Sequence, residues 1–191
     1  KEAIEQELKR KGQVYYLHNR IGTIAMVKNR LEKLIPKAKI VIIHGRLGEK
    51  ELIRVMDEFE KKHYDILVAT TIIENGLDLP NVNTLIVEDA TKLGLAQAYQ
   101  IRGRIGRSHI KSFAWFLHGS NVQTKAQLRL QALQESSELG SGYKIALRDM
   151  EIRGAGNILG KEQSGNVNIV GLNLYCQMLA EAVEKMKNRS T

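Results

Sequence analysis

The sequence of 191 residues contains one cysteine, Cys176, and two prolines. A single thiol cannot close an internal disulfide, so we expect a protein of the reducing cytoplasm. Cys176 lies within an apolar helical pattern, which favours a core side chain over a nucleophile. No apolar run reaches the roughly 18 residues of a transmembrane helix, and no signal-peptide pattern occurs. We therefore expect no association with a membrane.

The sequence also lacks two patterns that bind nucleotides and metal ions. No Gly-x-x-x-x-Gly-Lys-Ser/Thr loop is present to cradle phosphates, and no Asp-Glu-x-x box supplies a magnesium ligand, since the Asp57-Glu58 pair lies within a predicted helix. We therefore predict no metal site and no ATP hydrolysis by this chain alone. Because the chain starts at Lys1 within a polar helical pattern, we expect it to be a piece of a longer protein.

Acidic residues are fewer than basic ones. Lys and Arg total 29 against 21 Asp and Glu, which gives a formal charge of +8. This balance favours a polyanionic partner such as nucleic acid, although excess lysine can also serve solubility alone. Hydrophobic residues make up 43% of the chain, enough for a packed core.

Short apolar segments alternate with amphipathic helical patterns over residues 1–120. The predicted strands are Gln13–His18, Lys39–His44, Asp65–Thr70, Asn83–Glu88 and Ser112–Leu117. The predicted helices cover 2–11, 24–34, 49–62 and the residues around Tyr99. Such strands indicate a doubly wound parallel α/β sheet covered by helices on both faces. Residues 121–191, with helices at 123–136 and 170–187 and many glycines, are expected to form a helical hairpin extension that packs on this domain.

Polar residues collect where the predicted strands end, which is where doubly wound sheets bind ligands. They are Asn19 and Arg20 beside His18, Arg46 beside His44, Thr70 with Thr71, and Glu88 with Asp89. Hydroxyl and backbone N–H groups at Thr70 and Thr71 suit a nucleic-acid phosphate. Gly76 and Asp78 follow in a turn, where the acid could bind a ribose hydroxyl. A plain strand-end turn with a helix cap is the alternative for this stretch.

The stretch Gln100–Arg107 places three arginines and two glycines within eight residues. If the helix that precedes it continued, Arg104 and Arg107 would share a face, and Gly103 and Gly106 would allow close approach of a ligand. A guanidinium presents a planar set of donors that matches phosphate, so the pair suits a phosphate clamp. The alternative is a solvated basic helix end.

Four of these stretches resemble motifs of the superfamily 2 helicases and translocases. Gln100–Arg107 resembles motif VI, the stretch around Gly76 resembles motif V, Tyr16–Arg20 resembles motif IV, and His44–Arg46 resembles the His-Gly motif. The resemblance implies a RecA-like helicase C-terminal domain. It implies that Arg104 and Arg107 stabilise the transferring phosphoryl group and that Gly76, Asp78 and Gln100 bind nucleotide. It also implies DNA contacts from the residues at the strand ends: Asn19, Arg20, His44, Arg46, Thr70 and Thr71.

Residues 147–165 resemble the TRG motif, which two families share closely. These are the bacterial transcription-repair coupling factors and the RecG branched-DNA helicases. Asn75 and Ala155 fit the coupling factors better. In those families Arg129, Arg153 and Gln163 couple ATP hydrolysis to movement on DNA.

The resemblance to the coupling factors implies the second motor domain of a translocase of double-stranded DNA that displaces stalled RNA polymerase in DNA repair. ATP and Mg²⁺ would be held mainly by a first RecA-like domain outside this chain. RNA polymerase and excision-repair proteins would bind modules that also lie outside it. The alternatives are the same domain of a RecG-type helicase and a non-catalytic nucleic-acid-binding module with a helicase fold.

Overall fold

The structure, a computed structural model, describes residues 1–70, 82–106, 110–120, 122–136 and 141–153. Contacts divide the chain into two compact units. The first comprises Lys1–Leu93 and Gln97–Val122, and the second comprises Gly94–Ala96 and Gln123–Thr191. The division proposed from the sequence, at residue 120, stays a prediction.

The first unit contains a five-stranded parallel sheet, as the apolar strand patterns predicted. The strands are β1 (Gln13–Leu17), β2 (Ile40–Ile43), β3 (Ile66–Ala69), β4 (Val82–Val87) and β5 (Phe113–Phe116). They lie in the order β2-β3-β1-β4-β5, and every neighbouring pair is parallel. The carboxyl ends of all five strands therefore meet at one edge of the sheet, and this edge positions the candidate site.

Helices alternate with the strands along the chain. The first four are α1 (Glu2–Lys9), α2 (Ile24–Leu34), α3 (Glu49–Glu60) and α4 (Leu95–Arg102). The bounds of α2 are those predicted, since Pro36 prevents the helix from continuing. Val55 and Phe59 of α3 are buried, as expected for the apolar face of an amphipathic helix. None of the helices in the described ranges is long and apolar enough to cross a membrane.

One core cluster joins α1 and α2 to one face of the sheet. Ile4 of α1 and Val27 and Leu31 of α2 pack with the strand residues Val14 and Ile66, all buried. Burying an aliphatic side chain of this size contributes roughly 1.5–3 kcal/mol to folding. Buried apolar residues of α1 and α2 therefore hold these helices against the sheet.

The edge strand β5 is less covered than the other four strands. This strand pairs only with β4 among the described residues, and Phe113 and Trp115 are 39% and 48% exposed. An edge strand has a neighbour on one side only, so helices seated over the central strands leave part of its surface open. Apolar composition alone did not distinguish this edge strand from a central one.

The described part of the second unit contains two helices, α5 (Thr124–Glu135) and α6 (Gly142–Arg153). Ala132 and Leu133 of α5 and Ile145 of α6 are buried. The predicted helix at 123–136 is confirmed within one residue at each end. The predicted helix at 170–187 lies outside the described residues.

Candidate nucleic-acid interface

The loop after β1 begins at His18, whose backbone N–H donates to the carbonyl of Ala69 on β3 at 2.8 Å. The next turn is tight, because the N–H of Arg20 donates to the carbonyl of His18 at 2.9 Å. Asn19 and Arg20 are exposed, at the edge of the sheet where the sequence analysis placed them. This edge therefore presents one amide and one guanidinium to solvent.

The imidazole of His18 connects the end of β4 to the start of α2. Its Nδ1 lies 2.7 Å from Oε2 of Glu88, and its Nε2 lies 2.7 Å from Oγ1 of Thr23. Arg30 of α2 donates to the other carboxylate oxygen of Glu88 at 2.7 Å and to the hydroxyl of Tyr16 at 3.1 Å. Glu88 thus joins two strands and a helix through side chains far apart in the sequence.

Burial and the neighbouring charges shift the pKa values of Tyr16, Arg30 and the nearby Asp89. Burial, followed by the negative charge of Glu88, raises the pKa of Tyr16, so its phenol keeps its proton. The hydrogen bond to Glu88 raises the pKa of Arg30, which is charged in any case. Next to the network, the ammonium of Lys92 lowers the pKa of the exposed Asp89 carboxyl, and Arg20 and His18 act in the same direction.

The loop after β2 is a turn over His44–Leu47, closed by the N–H of Leu47 donating to the carbonyl of His44 at 3.0 Å. The N–H of Arg46 donates to Nδ1 of His44 at 3.3 Å, which holds the half-buried ring against its own turn. Arg46 itself is exposed. The turn therefore offers a second guanidinium at the same edge as Arg20.

Thr70 follows β3 at this edge, but it is only 3% exposed. Its hydroxyl has no hydrogen-bond partner within the described ranges, and its N–H donates to the carbonyl of Ile43 at 3.3 Å. Its predicted contact with a nucleic-acid phosphate stays a prediction. Thr71, Gly76 and Asp78 lie outside the described residues.

The arginine-rich stretch begins on α4, which ends at Arg102. Gln100 is exposed on its last turn, and the half-buried Arg104 lies in the turn that follows. The helix therefore ends before Arg104, so the condition under which Arg104 and Arg107 would share a helical face is not met at Arg104. Arg107 lies outside the described residues.

Gly106 shows why this stretch needs a glycine. Its φ is +73°, and a Cβ there would lie 2.3 Å from Oγ of Ser112. Its N–H donates to the carbonyl of Val82 at 3.2 Å, which ties the stretch to the first residue of β4. The backbone of Gly106 is therefore fixed to the sheet.

The predicted coupling residues fall in the second unit. Arg129 is half-buried on α5, and Arg153 is the last residue of α6. The glycine-rich residues that follow Arg153 in the sequence lie outside the described residues. Gln163 lies outside the described residues.

Sequence reasoning identified the exposed residues at the strand ends but gave no role to Glu88, Thr23 or Arg30. Glu88 was noticed as a polar residue after a strand. Nothing in the local pattern connects it to Thr23 or Arg30, since these contacts depend on the pairing of β1 with β4.

Residues 1–109 match the family described as the helicase conserved C-terminal domain, and the chain belongs to this family. The parallel sheet with its motifs at the carboxyl edge thus defines a RecA-like helicase domain. The chain is similar to the transcription-repair-coupling factor of Staphylococcus aureus, with 52% identity over 189 residues. The alignment covers 98% of this chain and 16% of that protein, and the Staphylococcus epidermidis protein gives the same values. The chain therefore spans 16% of the length of these relatives.

Solved structures agree with this assignment. A structure of RecG bound to a three-way DNA junction has a TM-score of 0.70 and 36% identity, and the match covers 82% of this chain and 21% of RecG. The C-terminal domain of the DEAD-box protein Dbp5 has a TM-score of 0.53 at 21% identity, covering 70% of this chain and 77% of that domain. The Dbp5 likeness shows the fold alone.

Proposed function

We propose that this chain is the second motor domain of an ATP-dependent translocase of double-stranded DNA that displaces stalled RNA polymerase during repair. The observation that carries the proposal is the carboxyl edge of the sheet, where Asn19, Arg20 and Arg46 are exposed. Guanidinium and amide groups at one edge suit successive phosphates of a DNA strand. The 52% identity to transcription-repair-coupling factors supports the choice of translocase.

We assign His44, Thr70 and Thr71 to the same DNA-binding edge. His44 is oriented by the N–H of Arg46, and Thr70 follows β3, which lies between β2 and β1 in the sheet. These residues would bind the sugar-phosphate backbone, so the domain would hold duplex DNA without reading its sequence.

ATP and Mg²⁺ would be held mainly by the first motor domain of the same protein. The described residues fit a supporting role: Gln100 is exposed, and Arg104 lies in a turn from which a guanidinium can extend. Gly76 and Asp78 would add contacts to the nucleotide, and Arg107 would stabilise charge on the phosphoryl group. The nucleotide, when bound, supplies the phosphoanhydride whose cleavage drives movement.

Arg129, Arg153 and Gln163 would transmit nucleotide-dependent movement to DNA. The helices α5 and α6 support this division of roles, since they place Arg129 and Arg153 in a different compact unit from the sheet. RNA polymerase and excision-repair proteins would bind other parts of the full-length protein, because the chain spans 16% of its relatives.

The first test compares the 191-residue chain with the full-length protein. We expect the chain alone to show no ATP hydrolysis, because it lacks a phosphate-binding loop and a magnesium-binding box. The full-length protein should hydrolyse ATP faster when duplex DNA is added. Magnesium-dependent turnover by the purified chain that Arg107→Ala abolishes would contradict the proposal.

The second test measures duplex binding of the full-length protein as a function of salt. If Arg20 and Arg46 each neutralise one phosphate, replacing both with alanine should reduce the slope of log K against log salt by about 2. Lys37→Ala is the matched control, because Lys37 precedes β2 and so lies at the opposite edge of the sheet. An unchanged slope in the double variant, or a preference for one base sequence, would rule out this edge as a backbone-binding site.

A second candidate function is that of a RecG-type branched-DNA helicase, which the TM-score of 0.70 favours. The substrates separate the two candidates. A coupling-type translocase should displace a stalled polymerase from linear duplex DNA, whereas a RecG-type enzyme should prefer a branched junction. A non-catalytic DNA-binding module would do neither and would show no ATP turnover in the full-length protein.

A further inference from the structure

The side chains of Glu88 and His18 form a connection behind the exposed loop of Asn19 and Arg20. Glu88 follows β4, and its N–H donates to the carbonyl of Leu17 at 3.0 Å, so its backbone is fixed to β1. Only 12% of the His18 side chain and 21% of the Glu88 side chain are exposed. The contact between them is therefore largely protected from solvent.

The carboxylate determines which nitrogen of His18 carries a proton. An ionised carboxylate only accepts hydrogen bonds, so Nδ1 of His18 must donate to Glu88. In the neutral ring Nε2 then accepts a hydrogen bond from the hydroxyl of Thr23. Both ring nitrogens are engaged, and the ring cannot rotate without breaking one of these bonds.

The bridge made by this ring spans the loop on which the proposed DNA contacts lie. Asn19 and Arg20 are two of the four residues between His18 and Thr23, and both ends of that segment are held by the same imidazole. The N–H of Thr23 also donates to the carbonyl of Arg20 at 3.3 Å. A loop pinned in this way keeps its exposed donors in one arrangement, which reduces the entropy lost on binding.

We infer that Glu88, acting through His18, is a positioning residue that holds Asn19 and Arg20 in the geometry that binds the DNA backbone. The inference rests on the proposed function, because it concerns how the DNA-binding edge is organised. Glu88 does not touch DNA in this scheme. Its effect is indirect and depends on the contacts of His18 and Thr23.

The sign of the effect distinguishes this role from simple electrostatics. Removing a carboxylate beside Arg20 makes the surface more positive, which by itself tightens DNA binding. Loss of positioning weakens binding instead. Asp89→Asn is the matched control, because it removes a neighbouring negative charge but leaves the hydrogen bonds of His18 to Glu88 and Thr23 in place. Asparagine also tolerates the left-handed conformation of residue 89, whose φ is 55°.

The experiment measures duplex DNA affinity of the full-length protein at one fixed salt concentration. We expect Glu88→Ala to weaken binding on the order of tenfold, the equivalent of losing one well-placed contact. Asp89→Asn should leave binding unchanged or tighten it. If Glu88→Ala also leaves binding unchanged or tightens it, the positioning role is wrong. If the wild-type protein itself shows no salt-sensitive DNA binding, the proposed function falls as well.

Two further variants separate positioning from general loss of structure. In a background carrying Asn19→Ala and Arg20→Ala, Glu88→Ala should change affinity by less than about twofold, because the positioned groups are gone. A full additional tenfold loss there would show a general structural effect and overturn the inference. If Glu88→Ala fails to fold, Thr23→Val removes only the hydroxyl that holds Nε2, and unchanged DNA affinity in that variant would overturn the inference equally.

Discussion

Arg107→Ala in the full-length protein is expected to lower the DNA-stimulated kcat for ATP hydrolysis by about 10³-fold or more. The expected loss is large because a guanidinium placed at the transferring phosphoryl group stabilises charge that develops only in the transition state. DNA affinity should change by less than about twofold, since Arg107 is assigned no contact with the DNA backbone. ATP turnover with saturating DNA, measured beside duplex binding, tests both statements.

Arg102→Ala is the matched control for charge and for position in the sequence. Arg102 is the last residue of α4, and its guanidinium lies 5.0 Å from the ring centroid of Tyr99. It lies outside the Gly-Arg-x-Gly-Arg pattern, so its removal should leave kcat within a few-fold of the wild type. Equal losses in the two variants would show that the stretch needs positive charge in general and would contradict a specific role for Arg107.

Arg153→Ala should behave in the opposite way to Arg107→Ala. Arg153 ends α6 in the second unit, whereas the Gln100–Gly106 part of the arginine-rich stretch belongs to the first. We expect hydrolysis to persist while displacement of a bound oligonucleotide is lost, and the same for Gln163→Ala. If Arg153→Ala abolishes hydrolysis as fully as Arg107→Ala does, the proposed division between chemistry and movement is wrong.

Arg10→Ala is expected to lower the free energy of unfolding by about 3–5 kcal/mol, the usual cost of leaving a buried charge without its partner. The side chain of Glu7 is 0% exposed, and its Oε2 accepts hydrogen bonds from Arg10 and Thr84. The other oxygen, Oε1, has no hydrogen-bond partner among the described residues. Without Arg10, the carboxylate would keep a single hydroxyl as donor.

Arg10 also links α1 to the segment that leads into β5. Its guanidinium donates to the carbonyl of Lys111 at 2.7 Å and lies 5.4 Å from the ring centroid of Phe113. Urea denaturation followed through Trp115, the single tryptophan, reports on this region directly. Arg10→Lys should recover only part of the stability, because an ammonium cannot form the two-pronged contact.

Glu7→Gln in the Arg10→Ala background tests the cause of this instability. If an uncompensated charge is responsible, removing that charge should restore a substantial part of the loss. If the double variant is no more stable than Arg10→Ala alone, lost packing of the Arg10 side chain explains the effect instead. Lys9→Ala is the control for both results, because Lys9 is an exposed residue of α1. This substitution should lower the free energy of unfolding by less than about 0.5 kcal/mol.

The order of helices and strands could be predicted because it depends on local patterns. Apolar runs bounded by polar residues marked β1 to β4, and Pro36 marked the end of α2. The end of α4 could not be predicted from the pattern, since a glycine within a helical pattern is compatible with either continuation or termination. The exposure of Phe113 and Trp115 was also missed, because composition does not state which strand lies at an edge.

The sequence by itself determined the helicase family, the parallel class of the sheet and the placement of Asn19, Arg20 and Arg46 at its carboxyl edge. These follow from short motifs and from periodicity, which act over a few residues. The tertiary structure alone decided the partners: Glu88 for His18 across 70 residues and Glu7 for Thr84 across 77. Strand pairing brings Glu88 to His18, and the packing of α1 on the sheet brings Glu7 to Thr84; local propensities act over a few residues and cannot specify such distant contacts.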